Sequence, residues 1–146
     1  MKLSKRGEYG LRAMIYLADP LRAEQKIQIK EIAAREDIPV KFLEQILLSL
    51  KNVGLLQSKA GVGGGYTLGR PADQITLGEI VRVLDGPLAP IRCASQTAYQ
   101  PCSCPDVEAC GLRQVMVDVR NAVAAIIDHT TLADVVERER ISRGRV

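Results

Sequence analysis

The stretch that decides the fold is PVKFLEQILLSLKNVGLLQSKAGVGGGYTLGRP, residues 39–71. Its first part predicts a helix, because proline suits a first helical turn and the apolar residues Leu43, Ile46, Leu47 and Leu50 form one stripe. Its second part places a glycine-rich run between two short extended segments, LLQSK and YTLGR. That pattern is typical of a β-hairpin. The stretch therefore predicts a helix followed directly by a hairpin.

The glycines of this stretch also fit a phosphate-binding loop. Such a loop ends in Gly-Lys-Ser or Gly-Lys-Thr and runs straight into a helix. Here Tyr66, Thr67 and Leu68 follow the glycines instead. We therefore interpret the segment as the tip of a hairpin, where glycine permits positive φ and close backbone approach.

Two shorter amphipathic helices precede this stretch. EYGLRAMIYLADP has apolar residues at helical spacing and stops at Asp19-Pro20, because proline disfavours helix in the residue before it. IKEIAAREDI places Ile29, Ile32 and Ala33 on one stripe. Two helices joined by a short turn occur in any small helical bundle and in the DNA-binding helix-turn-helix. The hairpin that follows favours DNA, since a helix-turn-helix trailed by a hairpin is a winged helix.

Charge is distributed unevenly along the chain. The 146 residues carry a formal net charge of +3. Up to Arg70 there are 12 Lys and Arg against 7 Asp and Glu, and after it 8 against 10. A basic N-terminal half suits an anionic partner such as DNA. No secretory signal and no run of membrane-spanning length is visible, so we expect a cytoplasmic protein without a membrane partner.

Two more helices are predicted after the hairpin. TLGEIVRVLDG has Thr76 and Glu79 in capping-box spacing and ends at Gly86. DVEACGLRQVMVDVRNAVAAIIDHT is a longer helix with one apolar stripe. The stripe comprises Leu112, Val115, Val119, Val123, Ile126 and Ile127, widened by Met116 and Ala124. Packing within the monomer would bury it, but we favour a homodimer. The charged tail ERERISRGRV is expected to fray.

All four cysteines lie in RCASQTAYQPCSCPDVEACG, residues 92–111. The cytosol keeps thiols reduced, so metal or redox chemistry is favoured over a disulfide framework. Thiolates are the soft ligands of iron–sulfur clusters. Zinc is the alternative metal, although structural zinc sites prefer wider spacing than the one-residue gap between Cys102 and Cys104. An enzyme is disfavoured, because a catalytic cysteine would have only His129 to pair with.

Similarity to a known family is carried by four segments in order: MKLSKRGEYGLRAM, FLEQILLSLKNVGLLQS, GGGYTLGRP and ITLGEIVRVLDG. They resemble the IscR and NsrR type of bacterial winged-helix transcriptional regulators, the Rrf family. The resemblance implies a mainly α fold with a small β-hairpin wing, that is, a winged helix-turn-helix plus a long dimerisation helix. It also implies a homodimer that binds double-stranded operator DNA.

The resemblance further implies an iron–sulfur cluster, 2Fe-2S or 4Fe-4S, in the cysteine loop. Many family members hold one through three cysteines ahead of the dimerisation helix. Carried onto this chain, the ligands are Cys93, Cys104 and Cys110, because the last two keep the five-residue gap typical of the family. The gap from Cys93 to Cys104 is longer than the usual pattern, which leaves the choice between Cys102 and Cys104 open.

The fourth ligand is where the chain departs from these relatives. Some of them have a histidine three residues after the last cysteine, and here that residue is Arg113, which has no lone pair to offer. Cys102 is one substitute. Glu8 is the other candidate. The chain resembles the nitric-oxide-sensing branch of the family at this position, where an acidic residue of the partner subunit reaches across to the cluster. We expect Glu8 to complete the site and Cys102 to be dispensable.

The predicted DNA-binding residues are Lys41, Glu44, Gln45, Lys59, Gly63 and Gly64. The first three lie off the buried stripe in the first turns of the recognition helix, where they would face the major groove. Lys59 stands beside Ala60, where relatives often have arginine, and would contact phosphates or the minor groove with the glycines of the wing.

We divide the chain into three regions. Residues 1–86 form the winged helix-turn-helix, 87–111 the cysteine loop, and 112–146 the dimerisation helix and tail. The function predicted for this arrangement is a transcriptional regulator whose operator affinity is set by the cluster. The alternative is a regulator of the same fold without a cluster that senses a partner protein or a small molecule, as cysteine-metabolism members of the family do.

Overall fold

The computed structural model describes residues 2–144. Within them, six α-helices and a two-stranded antiparallel hairpin follow one another, so the predicted mainly α winged-helix class is confirmed. Short 3-10 turns occur at Pro20–Arg22, Ala72–Gln74 and Arg92–Ala94. The elements are α1 Lys5–Ala18, α2 Ile29–Glu36, α3 Val40–Asn52, β1 Leu56–Lys59, β2 Gly65–Leu68, α4 Leu77–Asp85, α5 Gly111–Ile127 and α6 Leu132–Gly144.

The first helix is capped at its start and stopped by proline at its end. The Ser4 hydroxyl accepts a hydrogen bond from the Gly7 amide at 3.0 Å. The Asp85 carboxylate in turn accepts from the Ser4 amide at 3.0 Å, which ties the start of α1 to the end of α4. Asp19 is extended ahead of Pro20, so the helix ends where the sequence predicts.

The helix-turn-helix consists of α2 and α3. Asp37 follows α2 in the left-handed conformation, with φ of 54°, and the chain turns into α3 at Pro39. The four residues of the predicted stripe are completely buried, as expected for the core face of this helix: Leu43, Ile46, Leu47 and Leu50.

The hairpin forms the wing, with strands shifted slightly from the predicted segments. Leu56 pairs with Leu68 and Lys59 with Gly65. The wing is joined to the turn before α2, because Tyr66 donates to the Ile27 carbonyl at 2.7 Å and Ile27 donates back at 2.9 Å. At Gly65 a Cβ atom would lie 2.7 Å from the Ile27 backbone, so glycine is required for this approach.

The C-terminal helix α6 includes the charged tail as far as Gly144, where the sequence predicts a frayed end. α6 begins with reciprocal hydrogen bonds between Thr131 and Asp134 and is supported by a Glu137–Arg140 ion pair. It packs against α1, and its first residue, Leu132, is completely buried in the core of the winged-helix domain. Residues 145 and 146 of the tail lie outside the described part.

The long apolar helix α5 lies outside this core. None of its residues, all of which the structure describes, is buried. Leu112 is 60% exposed, Val115 55% and Ile126 66%. It begins at Gly111, several residues later than the predicted segment. Among residues 2–144, the length and hydropathy needed to span a membrane are not combined in any helix.

Candidate DNA interface and cysteine site

The first turns of α3 present polar side chains to solvent. Lys41, Glu44 and Gln45 are all exposed, while the opposite face of the helix enters the core. This placement agrees with the predicted orientation, because a recognition helix reads DNA with residues near its N-terminus that do not pack inward. Their contacts with bases remain predictions.

The wing ends in a tight turn. The Gly64 amide donates to the Gly61 carbonyl at 3.0 Å, and Gly63 has a φ of 74°. A Cβ on Gly64 would collide with the Lys59 carbonyl, so the backbone is compact here because the residue is glycine. Lys59 itself is exposed on β1, available to a phosphate.

The two ends of the cysteine loop are held together by Arg113. Cys93 is buried in the turn at Arg92–Ala94, and its carbonyl accepts from Arg113 Nε at 2.9 Å. Cys110 caps the N-terminus of α5, where its Sγ accepts from the Arg113 amide at 3.4 Å. Arg113, which cannot bind a metal ion itself, thus links the backbone of Cys93 to the helix that Cys110 caps.

The four cysteines come from three parts of the loop. Cys93 lies in the turn at Arg92–Ala94, Cys102 and Cys104 lie one residue apart in the irregular segment, and Cys110 caps α5. All four cysteines are free thiols. Hydrogen bonding from the Cys104 thiol lowers the pKa of Cys102, and the same contact with Cys102 raises the pKa of Cys104 to about 11. One thiol of the pair is thereby disposed to ionise before the other.

The four cysteines of the loop match the ligand type of an iron–sulfur cluster, because such clusters are held by thiolates. Within residues 2–144, however, no three Cys, His, Asp or Glu side chains form a compact group ready to hold a single metal ion. Loop rearrangement would have to accompany metal binding, as is usual where ligands are ordered by the metal itself.

Glu8 lies apart from the loop within one protomer. Its carboxylate pairs with Lys5 at 3.2 Å and with Arg12 at 3.8 Å, both on α1. None of the hydrogen bonds or ion pairs found among residues 2–144 joins Glu8 to a cysteine. It lines a groove that also contains Pro87–Pro90 and Ile127, beside the start of the cysteine loop.

Comparison with known proteins agrees with this architecture. The profile of the Rrf2 family, described as iron-dependent transcriptional regulators, matches residues 3–138. The chain belongs to the Rrf2 family. An rrf2-like HTH-type regulator of Rhodobacter capsulatus is 40% identical over 137 residues, covering 92% of this chain and 91% of that protein. The similarity therefore spans the wing, the cysteine loop and α5 together.

Two Rrf2 relatives carry more specific names. The HTH-type regulator CymR of Bacillus subtilis is 37% identical over 92% of this chain and 88% of its own length. The structure of CymR, the global cysteine regulator of B. subtilis, superposes with a TM-score of 0.77 at 34% identity, covering 94% of this chain and 98% of that one. IscR of T. potens superposes with a TM-score of 0.73 at 29% identity, covering 95% and 88%.

Membership of the Rrf2 family makes this chain a DNA-binding transcriptional regulator.

The structure adds two residues to the candidate sites that the sequence did not indicate to us. Val62 at the tip of the wing is fully exposed, and its position between two glycines, Gly61 and Gly63, was the signal available in the sequence. Arg12 links Glu8 to the helix-turn-helix, and its spacing of four residues from Glu8 could have indicated the pair.

Proposed function

We propose that this Rrf2 regulator controls transcription through an iron–sulfur cluster held by Cys93, Cys104 and Cys110, with Glu8 of the partner subunit as the fourth ligand. The cluster, 2Fe-2S or 4Fe-4S, would supply reactivity toward oxidants or nitric oxide, or dependence on iron supply. The observation that carries the proposal is the presence of four free thiols, Cys93 to Cys110, in a loop that leads into the apolar helix α5.

A homodimer is part of this proposal. The exposed apolar residues of α5 would cost free energy in water, and a second copy of the same helix buries them symmetrically. Operator half-sites would then be read by the two copies of α3. Because its target is the chromosome, we place the protein in the bacterial cytoplasm.

A route from the cysteine site to DNA begins at Glu8. Within the protomer, Arg12 pairs with Glu8 and donates a hydrogen bond to the Glu36 carbonyl at the end of α2. Arg12 also lies 3.9 Å from the Glu36 carboxylate. If Glu8 serves as a ligand in the partner, Arg12 loses one anion and its remaining contacts hold the turn between α2 and α3. If Glu8 were released from the cluster, its carboxylate would pair with Arg12 again.

Anaerobic purification tests the cluster directly. We expect visible absorbance, with iron and acid-labile sulfide in equal amounts, in the wild type. Cys93→Ser, Cys104→Ser and Cys110→Ser should each abolish the absorbance, and operator affinity should then match that of the apo protein. A colourless anaerobic protein without iron, with an intact fold, would contradict the proposal.

The fourth ligand is tested by a pair of variants. Glu8→Ala should shift the absorption of the cluster or hasten its loss, whereas Cys102→Ser should retain three-cysteine ligation. Glu24→Ala, an exposed carboxylate change elsewhere, is the matched control. A Cys102→Ser protein that holds no cluster, beside an unaffected Glu8→Ala, would reverse the assignment.

A second candidate function is regulation without a cluster, by a partner protein or a small molecule. The observation in its favour is the similarity to CymR, the global cysteine regulator of Bacillus subtilis, together with the lack of a compact metal-ligand group among residues 2–144. Under this alternative the four Cys→Ser variants would regulate like the wild type. The absorbance measurement separates the two candidates.

A further inference from the structure

We infer that Arg82, Asp128 and Gly78 form a clasp that fixes the angle between α5 and the winged-helix domain, and thereby sets the half-site spacing that the dimer accepts. The inference rests on the proposed dimerisation through α5. It assigns a positioning role to residues that contact neither the cysteines nor the predicted DNA surface.

The clasp is located where α5 passes into α6. Residues 128–132 run antiparallel to the chain that enters α4. Leu77 donates to the Thr130 carbonyl at 2.9 Å, and Leu132 donates to the Ile75 carbonyl at 2.9 Å. Thr76 and Thr131 form an isolated antiparallel bridge between them. The junction is therefore attached by its backbone to the start of α4.

Side chains complete the attachment. The Arg82 guanidinium on α4 binds the Asp128 carboxylate through both oxygens, with Nη2 to Oδ2 at 2.8 Å. A Cβ atom on Gly78 would collide with Asp128 Oδ1, so this approach requires glycine. Two forked hydrogen bonds fix orientation as well as distance, which a single contact does not.

The opposite end of α5 has a different attachment. There Arg113 joins the helix to the Cys93 carbonyl, within the cysteine loop rather than the winged-helix domain. Between the two ends, none of the described residues of α5 is buried. A helix held this way behaves as an arm whose direction is determined at the clasp.

The geometry amplifies small changes at the clasp. A helix of 17 residues is about 25 Å long, so a tilt of about 10° at one end moves the other by about 4 Å. The ion pair itself is one-third exposed on each side and contributes little to stability. Its removal should therefore alter spacing more than folding. α4 also packs on α1 and α3, which passes the orientation to the recognition helix.

The experiment compares operator spacings. The wild type first selects an operator from random duplexes, and half-sites are then moved one or two base pairs closer or further apart. We expect Arg82→Gln and Asp128→Asn to bind the selected operator about tenfold more weakly and to lose the preference for its spacing. Affinity for a duplex with a single half-site should be unchanged. Gly78→Ala should show the same pattern without altering charge.

Rescue and a matched control decide between positioning and general damage. The exchanged pair Arg82→Asp with Asp128→Arg should recover most of the spacing preference, and Arg140→Gln, which breaks the exposed Glu137 pair on α6, should retain it. Variants with a wild-type spacing profile, or with equal losses on the single half-site, overturn the clasp. A wild type that selects no operator or does not dimerise overturns the proposed function, and the clasp with it.

Discussion

The winged-helix domain and the arm formed by the cysteine loop and α5 are built in opposite ways. In α3 the residues of one face are completely buried, whereas α5, although longer and similarly apolar, has no buried residue in the described chain. Burial of an apolar face is the main source of stability for a protein helix. The domain therefore carries its own stability, and the arm depends on what binds to it.

Under the proposed function, this difference separates a constant DNA-reading surface from a part that responds to the signal. A signal that altered the domain would have to overcome the free energy of its buried core. A signal that altered the arm would have to change only contacts that a single protomer leaves unmade. The predictions below test this division, beginning with the largest effect.

Leu47→Ala should lower the free energy of unfolding by about 2–5 kcal/mol, because it leaves a cavity at a completely buried site. Leu48→Ala on the same helix is the control, since Leu48 is 49% exposed and the change should stay within about 0.5 kcal/mol. Urea unfolding of both variants measures the difference. Equal losses of unfolding free energy in the two variants would show that the core is not centred on the face of α3 that contains Leu47.

Val115→Asp should weaken dimerisation by about 2 kcal/mol or more, because it places a charge in the face through which we propose that the protein dimerises. The unfolding of the winged-helix domain should be unaffected, since Val115 is outside its core. Analytical ultracentrifugation provides the measurement, with Gln114→Ala as the exposed neighbour. A dimer as stable as the wild type would remove α5 from the interface.

Gln45→Ala and Glu44→Ala should change the preference among operator variants, with about 1–3 kcal/mol of discrimination lost at the bases they contact. Both side chains are exposed in the first turns of α3, so folding should be unaffected. Binding competition between single-base operator variants measures the effect. An unchanged order of preference would contradict their role.

Lys59→Ala should weaken binding uniformly across sequences and reduce the slope of log affinity against log salt by about 1. The physical reason is the loss of one phosphate contact and the counterions it releases. Arg140→Ala on α6 is the control, because it deletes a cation that lies outside the proposed DNA interface. If the salt slope of Lys59→Ala equals that of the wild type, Lys59 does not contact phosphate.

Asp128→Asn should destabilise the protein by no more than about 1 kcal/mol near neutral pH, because the pair is part-exposed. Hydrogen bonding from Arg82 lowers the pKa of Asp128 below its ordinary value of 3.8. The contribution is therefore present above that value and lost as pH falls through the depressed pKa. Urea unfolding at neutral and acidic pH should show the two proteins converging in acid.

Much of the domain was determined by local sequence. Helical spacing predicted α1 to α4, the glycine run predicted the wing, and Asp19-Pro20 marked the end of α1. These features rely on short-range sterics and on a periodic apolar face, which single segments express by themselves. The apolar stripe of α5 was equally visible.

Only the tertiary structure decided how the segments meet. The charged tail carries no strong apolar period, so the packing of α6 on α1 depends on Leu132 entering a core formed by distant residues. The approach of Gly78 to Asp128 and the link from Arg12 to Glu36 join residues far apart in the chain. Sequence spacing determines which face a residue occupies, whereas the partner across that face is set by long-range packing.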